Sequence, residues 1–81
     1  MAHVLVGYDP KTERLSYRHE IPRSRMKDVL NLIQLDPDDP DAIAAYALDI
    51  FKVNDIWGII GETERDPSLE YFLESRSHPA A

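Results

Sequence analysis

The stretch Asp49–Gly61 constrains the fold most, because it holds the single tryptophan of the chain and the densest run of large apolar side chains. At about 100° per residue, five apolar residues fall within about 120° of one another, the width of a helical stripe that packs on a core. They are Ile50, Val53, Ile56, Trp57 and Ile60. Asp49 suits the N-cap, and Gly61 suits the left-handed stop. The sequence therefore predicts an amphipathic helix over residues 49–60.

Two further apolar residues of this helix, Phe51 and Ile59, lie off the stripe and next to the charged residues Lys52 and Asp55. A helix that packs on one core needs only one apolar face. The surplus indicates a second contact surface, either within the chain or with a partner.

The length of 81 residues allows one small domain. Cysteine is absent, so neither disulfides nor thiolate metal sites hold the fold, and we expect a cytoplasmic protein. No apolar run approaches the roughly 18 residues of a membrane span, and the first residues lack the pattern of a signal peptide.

The net charge of −6 is unevenly distributed. Residues 1–35 carry six Lys/Arg against four Asp/Glu, a net +2, whereas residues 36–81 carry three against eleven, a net −8. Such a field repels nucleic acids and anionic membranes and favours a partner with a basic surface.

Two strands, His3–Tyr8 and Glu13–Ile21, are predicted to form a hairpin around the turn Asp9–Thr12. The first strand has apolar residues on both faces, which suggests an interior position, and Gly7 marks a bulge or a close approach. The second strand alternates, and its predicted buried face consists of Leu15, Tyr17, His19 and Ile21.

A first helix is predicted over residues 24–34, with Ser24 as N-cap and with Pro37 forcing the exit. Its apolar face consists of Met26, Val29, Leu30 and Ile33. A final strand over residues 69–74 alternates apolar residues with Glu70 and Glu74. Residues 1–74 thus form the expected domain, and residues 75–81 form a flexible tail.

Residues 40–60 allow two interpretations. The segment Ala42–Leu48 has high helix propensity and could continue into one rod that ends at Ile60. A break near Asp49 would instead give a short strand near residues 45–48, with Tyr46 and Leu48 on one face. We favour the break because it uses Asp49 as an N-cap. The predicted class is α+β, a small antiparallel sheet with two helices on one face.

The loop Asp36–Asp41 is the most acidic stretch, but it does not match a calcium-binding loop. Pro40 would occupy a ligand position, Asp41 stands where glycine is needed, and Ala47 replaces the bidentate glutamate. Two interpretations remain, a rigid linker in which Asp39 caps the following turn and an acidic loop that recognises Lys/Arg on a partner.

The sequence predicts no catalytic, metal or cofactor site. His3, His19 and His78 lack metal-ligand spacing, the serines lack a neighbouring base, and the three glycines form no phosphate-binding pattern. We therefore expect a protein that is not an enzyme.

A resemblance to a known group rests on Tyr8–Thr12, on Leu15, Tyr17 and Ile21-Pro22, and on the closing Glu70–Glu74. These segments resemble those of small bacterial proteins grouped with the immunity proteins of polymorphic toxin systems. The resemblance implies a compact α+β domain that binds and neutralises a toxin, and the acidic second half would suit a basic toxin such as a nuclease.

The predicted function is therefore non-catalytic binding of another protein. The predicted contact residues are Asp36, Asp38, Asp39, Asp41, Phe51, Ile59, Glu62, Glu64 and Asp66. The first alternative is a structural homodimer, in which Phe51 and Ile59 or an edge strand meet their symmetry mates and the acidity only aids solubility. A small enzyme and a nucleic-acid-binding protein are the less favoured alternatives.

Overall fold

The computed structural model describes residues 2–76. Within this range the strands are β1 (Ala2–Tyr8), β2 (Leu15–Glu20), β3 (Tyr46–Leu48) and β4 (Glu70–Arg76). They form one antiparallel sheet in the order β2-β1-β4-β3. The helices α1 (Met26–Leu30) and α2 (Ile50–Ile60) pack on one face of this sheet. The predicted α+β class is confirmed.

The core lies between the helices and one face of the sheet. Strand alternation directs Leu5, Tyr71 and Leu73 toward the helices, where they meet the buried residues of α1 and α2. The buried helix residues are Val29, Val53, Ile56 and Trp57. No helix within residues 2–76 has the length and apolarity that a membrane crossing requires.

β1 is an interior strand, as predicted, and Gly7 lies next to a bulge. Gly7 pairs with Tyr17, whereas Tyr8 pairs with Leu15, so one extra residue of β2 fits between the two pairs. The extra residue reverses the alternation and places Leu15 on the opposite face from Tyr17. The prediction that Leu15 is buried beside Tyr17 is therefore wrong, and Leu15 is 48% exposed.

The first helix is shorter than the predicted 24–34. A turn of 3-10 helix over Arg23–Arg25 precedes α1, and Ser24 makes no capping hydrogen bond. The Arg25 N–H donates to the Pro22 carbonyl, so Ser24 lies inside the first turn rather than ahead of it. After Leu30 the chain continues in tighter turns up to Ile33.

The break near Asp49 is confirmed. β3 ends at Leu48, and the Asp49 side chain then accepts the Lys52 N–H at the start of α2. Gly61 ends α2 in the left-handed conformation, with φ of 72°. Both boundaries of α2 match the caps that the sequence predicts.

β4 extends beyond the predicted residues 69–74. Arg76 pairs with Ala2, and the Ser75 hydroxyl donates to the Ile43 carbonyl at 2.6 Å. Ser75 and Arg76 therefore belong to the sheet rather than to the predicted tail, because β1 is long enough to pair with them. The rest of that tail, including His78, lies outside the described residues.

Candidate functional site

Phe51 lies on the side of α2 that faces away from the core. Val53, Ile56 and Trp57 hold the helix against the sheet. At about 100° per residue, Phe51 points nearly opposite to these three side chains. It is 80% exposed. Within residues 2–76, this large apolar ring has no internal packing role that explains its presence.

An apolar notch lies at the edge of the sheet, next to the start of α2. β3 ends opposite Tyr71, whereas β4 begins one residue earlier, at Glu70. The notch has a volume of about 370 Å³. Its lining includes Leu48, Ile50, Leu69 and Phe72. Phe51 does not line the notch, but it follows Ile50 directly in α2, and we call Phe51 and these four residues the Phe51 surface.

Ile50 and Ile59 differ from their predicted positions. Ile50, which the pattern places on the core stripe, is 39% exposed and lines the notch. Ile59 is half-buried and packs against the core. α2 contacts α1 as well as the sheet, so an apolar residue off the main stripe can still meet its own chain. Of the two predicted apolar contact residues, only Phe51 is freely exposed.

Asp39 holds the loop before β3 together. One carboxylate oxygen accepts the Ile43 N–H at 2.8 Å, and the other accepts the Ala44 N–H at 2.9 Å and the Tyr46 hydroxyl at 2.7 Å. The hydrogen bonds from the Ala44 and Ile43 amides hold the pKa of Asp39 below its ordinary value. Asp39 thus caps an internal turn, as the rigid-linker interpretation predicts.

The other carboxylates of this loop are less engaged. Asp36 accepts the Asp38 N–H at 2.9 Å, and the Asp41 backbone carbonyl lies 3.1 Å from His3 Nε2. The side chains of Asp38 and Asp41 are exposed and form no hydrogen bond or ion pair with residues 2–76. These two remain available for a partner.

Replacing Asp39 with alanine is expected to lower Tm by several degrees, because two backbone amides and the Tyr46 hydroxyl lose their acceptor together. Asp38→Ala is the matched control. It removes the same charge at the neighbouring position, and the Asp38 carboxylate accepts no hydrogen bond from residues 2–76. Its Tm should stay within about 2 °C of wild type. Thermal unfolding by circular dichroism measures both. Equal Tm values for the two variants would contradict an internal role for Asp39.

Glu62 begins the second acidic stretch and is also used internally. One carboxylate oxygen accepts the Tyr17 hydroxyl at 2.8 Å, and the other accepts the Thr63 and Glu64 amides at 2.9 and 3.0 Å. The Glu64 amide and the Tyr17 hydroxyl lower the pKa of Glu62. The bond to β2 fixes the end of α2 over the sheet.

Asp66 closes a turn in the same stretch. Its Oδ1 accepts the hydroxyl and the amide of Ser68, at 2.6 and 2.9 Å, and these bonds lower the pKa of Asp66. Its backbone carbonyl accepts the Tyr71 hydroxyl. Glu64 is exposed, and its carboxylate has no partner among residues 2–76.

The predicted acidic residues lie on two stretches of chain that are anchored at different positions of β4. Just after the Asp36–Asp41 loop, the Ile43 carbonyl accepts the Ser75 hydroxyl. In the Glu62–Asp66 stretch, the Asp66 carbonyl accepts the Tyr71 hydroxyl. These two anchors are four positions apart along β4, or about 13 Å.

Three aromatic rings stack edge to face beneath the end of α2. Trp57 lies 5.2 Å from Tyr71 and 6.5 Å from Tyr17, and the Arg65 guanidinium lies 5.9 Å from the Trp57 ring. Burial raises the pKa of Tyr71 to about 12 and raises the pKa of Tyr17 well above its ordinary value. Neither phenol is tuned to exchange a proton near neutral pH.

The histidines have separate partners. His3 Nε2 lies 3.1 and 3.2 Å from the Asp41 and Ala42 carbonyls, whereas His19 Nδ1 lies 2.8 Å from the Glu20 carbonyl. Residues 2–76 contain no group of three or more side chains placed to hold a metal ion.

Gly58 is a feature of α2 that the sequence interpretation missed. It lies in the helix interior and is exposed, and a Cβ added there would meet no atom within 4 Å. The sequence does contain a signal for it, because a glycine inside a predicted amphipathic helix lowers the stability of that helix relative to alanine.

A family model described as a domain of unknown function, DUF7683, matches residues 2–74 of the 81. The chain belongs to this family. No curated protein and no solved structure gives a significant match. The DUF7683 match covers almost the whole sheet and both helices, so the Phe51 surface lies inside the family domain.

Proposed function

We propose that this DUF7683 domain binds another protein without catalysing a reaction, and that the Phe51 surface makes the central contact. The exposure of Phe51 carries the proposal, because an aromatic ring that is 80% exposed contributes little to its own fold. Ile50, the preceding residue of α2, is 39% exposed and lines the apolar notch. Exposed aromatic anchors next to apolar pockets are typical of the centres of protein interfaces.

The most concrete form of the proposal is immunity to a toxin in the cytoplasm. The resemblance to immunity proteins supports it, and the net charge of −8 over residues 36–81 suits a basic toxin such as a nuclease. Asp38, Asp41 and Glu64 are the predicted carboxylates that remain free for such a partner. Asp39, Glu62 and Asp66 support the fold instead and drop out of the proposed contact.

The products of the genes on either side of this one are the test partners. Each product is expressed in cells with and without this chain. Growth of the cells measures toxicity and its neutralisation, and co-purification of the product with this chain measures binding. We expect one product to be basic, toxic and neutralised by the wild-type chain. Phe51→Ser should weaken its binding at least about 30-fold, as expected for an aromatic hot spot worth about 2 kcal/mol.

Leu15→Ser is the matched control for Phe51→Ser. Leu15 is also an exposed large apolar residue, but it lies on β2, at the opposite edge of the sheet from β3. Its replacement should leave binding and growth unchanged. Full neutralisation by the Phe51→Ser variant would exclude the Phe51 surface as the contact, and the absence of a toxic or bound neighbour would count against immunity.

A homodimer is the second candidate, and the edge strand β3 beside the notch favours it. An unpaired sheet edge next to apolar side chains can pair with a symmetry mate. Light scattering at increasing concentration separates the two candidates. A constant monomer mass of 9.3 kDa supports binding of a different protein.

A further inference from the structure

Among the described residues, Glu70 is the only charged one that lines the notch. The rest of the lining is Ala47, Leu48, Ile50, Leu69, Tyr71 and Phe72. Glu70 is exposed, and its carboxylate forms neither an ion pair nor a hydrogen bond with residues 2–76. A partner group that fills the notch removes water from this carboxylate, which costs free energy unless the group also offers a hydrogen-bond donor.

The charges close to the notch are negative. Asp49 directly precedes the lining residue Ile50. Lys52 follows Ile50 by two positions, a rotation of about 200°, so its side chain leaves α2 on nearly the opposite side. Lys11 and Arg14 precede β2, which lies on the far side of β1 from β4 and β3. The local charges therefore favour a cation in the notch.

The start of α2, which adjoins the notch, does not select an anion. The Asp49 side chain accepts the Lys52 N–H at 2.9 Å, and so a carboxylate already lies at the positive end of the helix dipole. Arg65 follows the other end of α2 and donates to Asn54 Oδ1 at 3.2 Å. Neither feature brings a positive side chain to Glu70.

The size and lining of the notch suit one long side chain. Its volume of about 370 Å³ lies near the lower end of the range for small-molecule sites. An arginine side chain can bury its aliphatic stem while its charged end stays hydrated or paired. The guanidinium group can bind a carboxylate through two parallel hydrogen bonds and can stack on an aromatic ring, whereas the ammonium group of lysine is a strongly hydrated point charge. Glu70 and Phe72 supply a carboxylate and an aromatic ring in the same lining.

We propose that the notch receives an arginine side chain of the partner, with its stem against the aliphatic lining residues and its guanidinium group on the Glu70 carboxylate. This inference rests on the proposed function and names the chemical group that the partner inserts beside Phe51. It gives a binding role to Glu70, which the sequence does not predict as a contact residue.

The probe is n-butylguanidinium, which carries the head group of arginine on an aliphatic stem. It is titrated into the ¹⁵N-labelled full chain, and two-dimensional ¹H–¹⁵N NMR follows the amide signals. We expect saturable shifts centred on Ala47, Leu48 and Glu70. Neutral n-butylurea, which has nearly the same shape, and n-butylammonium should both bind less tightly.

Two pairs of variants test the contact. Glu70→Gln keeps the shape of the side chain but removes its charge, and it should weaken binding of n-butylguanidinium about two- to fivefold, the usual effect of an exposed ion pair. Glu64→Gln is its matched control, because Glu64 is an exposed carboxylate outside the notch. Ala47→Leu fills the notch and should abolish the saturable shifts, whereas Ala45→Leu, at an exposed position outside the lining, should not. The NMR spectrum of each free variant reports whether it folds.

An affinity of the wild-type chain for n-butylurea or n-butylammonium that equals its affinity for n-butylguanidinium would overturn the arginine inference. Unchanged affinity of Glu70→Gln, or no saturable shift at the notch, would overturn it as well. None of these results would refute the proposed function, which depends on the neighbouring gene products. If Phe51→Ser loses a natural partner and Glu70→Gln keeps it at full affinity, the contact surface is right and the arginine in the notch is wrong.

Discussion

Replacing Trp57 with alanine is expected to remove about 3–5 kcal/mol from the free energy of unfolding, the usual range for a buried tryptophan. Trp57 is 2% exposed and contacts the rings of Tyr17 and Tyr71, which belong to two different strands. A domain of 81 residues has about 4–12 kcal/mol in total. The variant should therefore be partly unfolded at 25 °C if the stability lies at the lower end of this range.

Urea unfolding by far-ultraviolet circular dichroism measures this loss, since the variant lacks the only tryptophan as a fluorescent reporter. Phe51→Ala is the matched control, because it truncates another aromatic residue on the same helix, and its cost should stay within about 0.5 kcal/mol. Similar urea midpoints for Trp57→Ala and Phe51→Ala would show that the ring cluster does not hold α2 on the sheet.

Trp57→Phe tests which part of the side chain matters. The Trp57 indole N–H has no hydrogen-bond acceptor among residues 2–76, so its loss removes no bond. The phenylalanine ring keeps most of the contact with Tyr17 and Tyr71 and should cost less than alanine does. Ring packing, rather than polar bonding, thus accounts for the expected effect.

The boundaries of α2 could be predicted because they depend on local chemistry. Asp49 and Gly61 act within one turn of the helix, and both cap it as the sequence indicates. Leu15 could not be placed correctly, because its side of the sheet depends on a bulge that forms only when β2 pairs with β1. Alternation in a single strand does not reveal such an insertion.

The candidate site shows the same contrast between features set by local sequence and features set by the fold. A helical pattern gives the direction of Phe51 and Ile59 relative to one core, but it cannot show that Ile59 nevertheless packs against that core. Likewise, a count of carboxylates gives the charge of the second half, but it does not show which carboxylates accept hydrogen bonds within the domain. The Glu62 carboxylate, for example, accepts the hydroxyl of Tyr17, a residue 45 positions away that only the fold brings to it.

Gly7→Ala is expected to destabilise the domain by about 1–3 kcal/mol, the usual cost of an overpacked interior. The added Cβ would lie 2.8 Å from Tyr71 Cε1 and 3.0 Å from Leu69 Cδ1. Tyr71 cannot easily retreat, because Trp57 packs against its ring and the Asp66 carbonyl accepts its hydroxyl. The strand must shift instead, at an interior position of the sheet.

Gly58→Ala adds the same methyl group where no atom lies within 4 Å, and it should raise the stability by about 1 kcal/mol. Urea unfolding followed by Trp57 fluorescence compares both variants with wild type, and their midpoints should move in opposite directions. A Gly7→Ala midpoint at or above that of wild type would contradict the close packing of Tyr71 on Gly7. One glycine is thus required by a neighbour within the chain, whereas the other has no neighbour within 4 Å among residues 2–76.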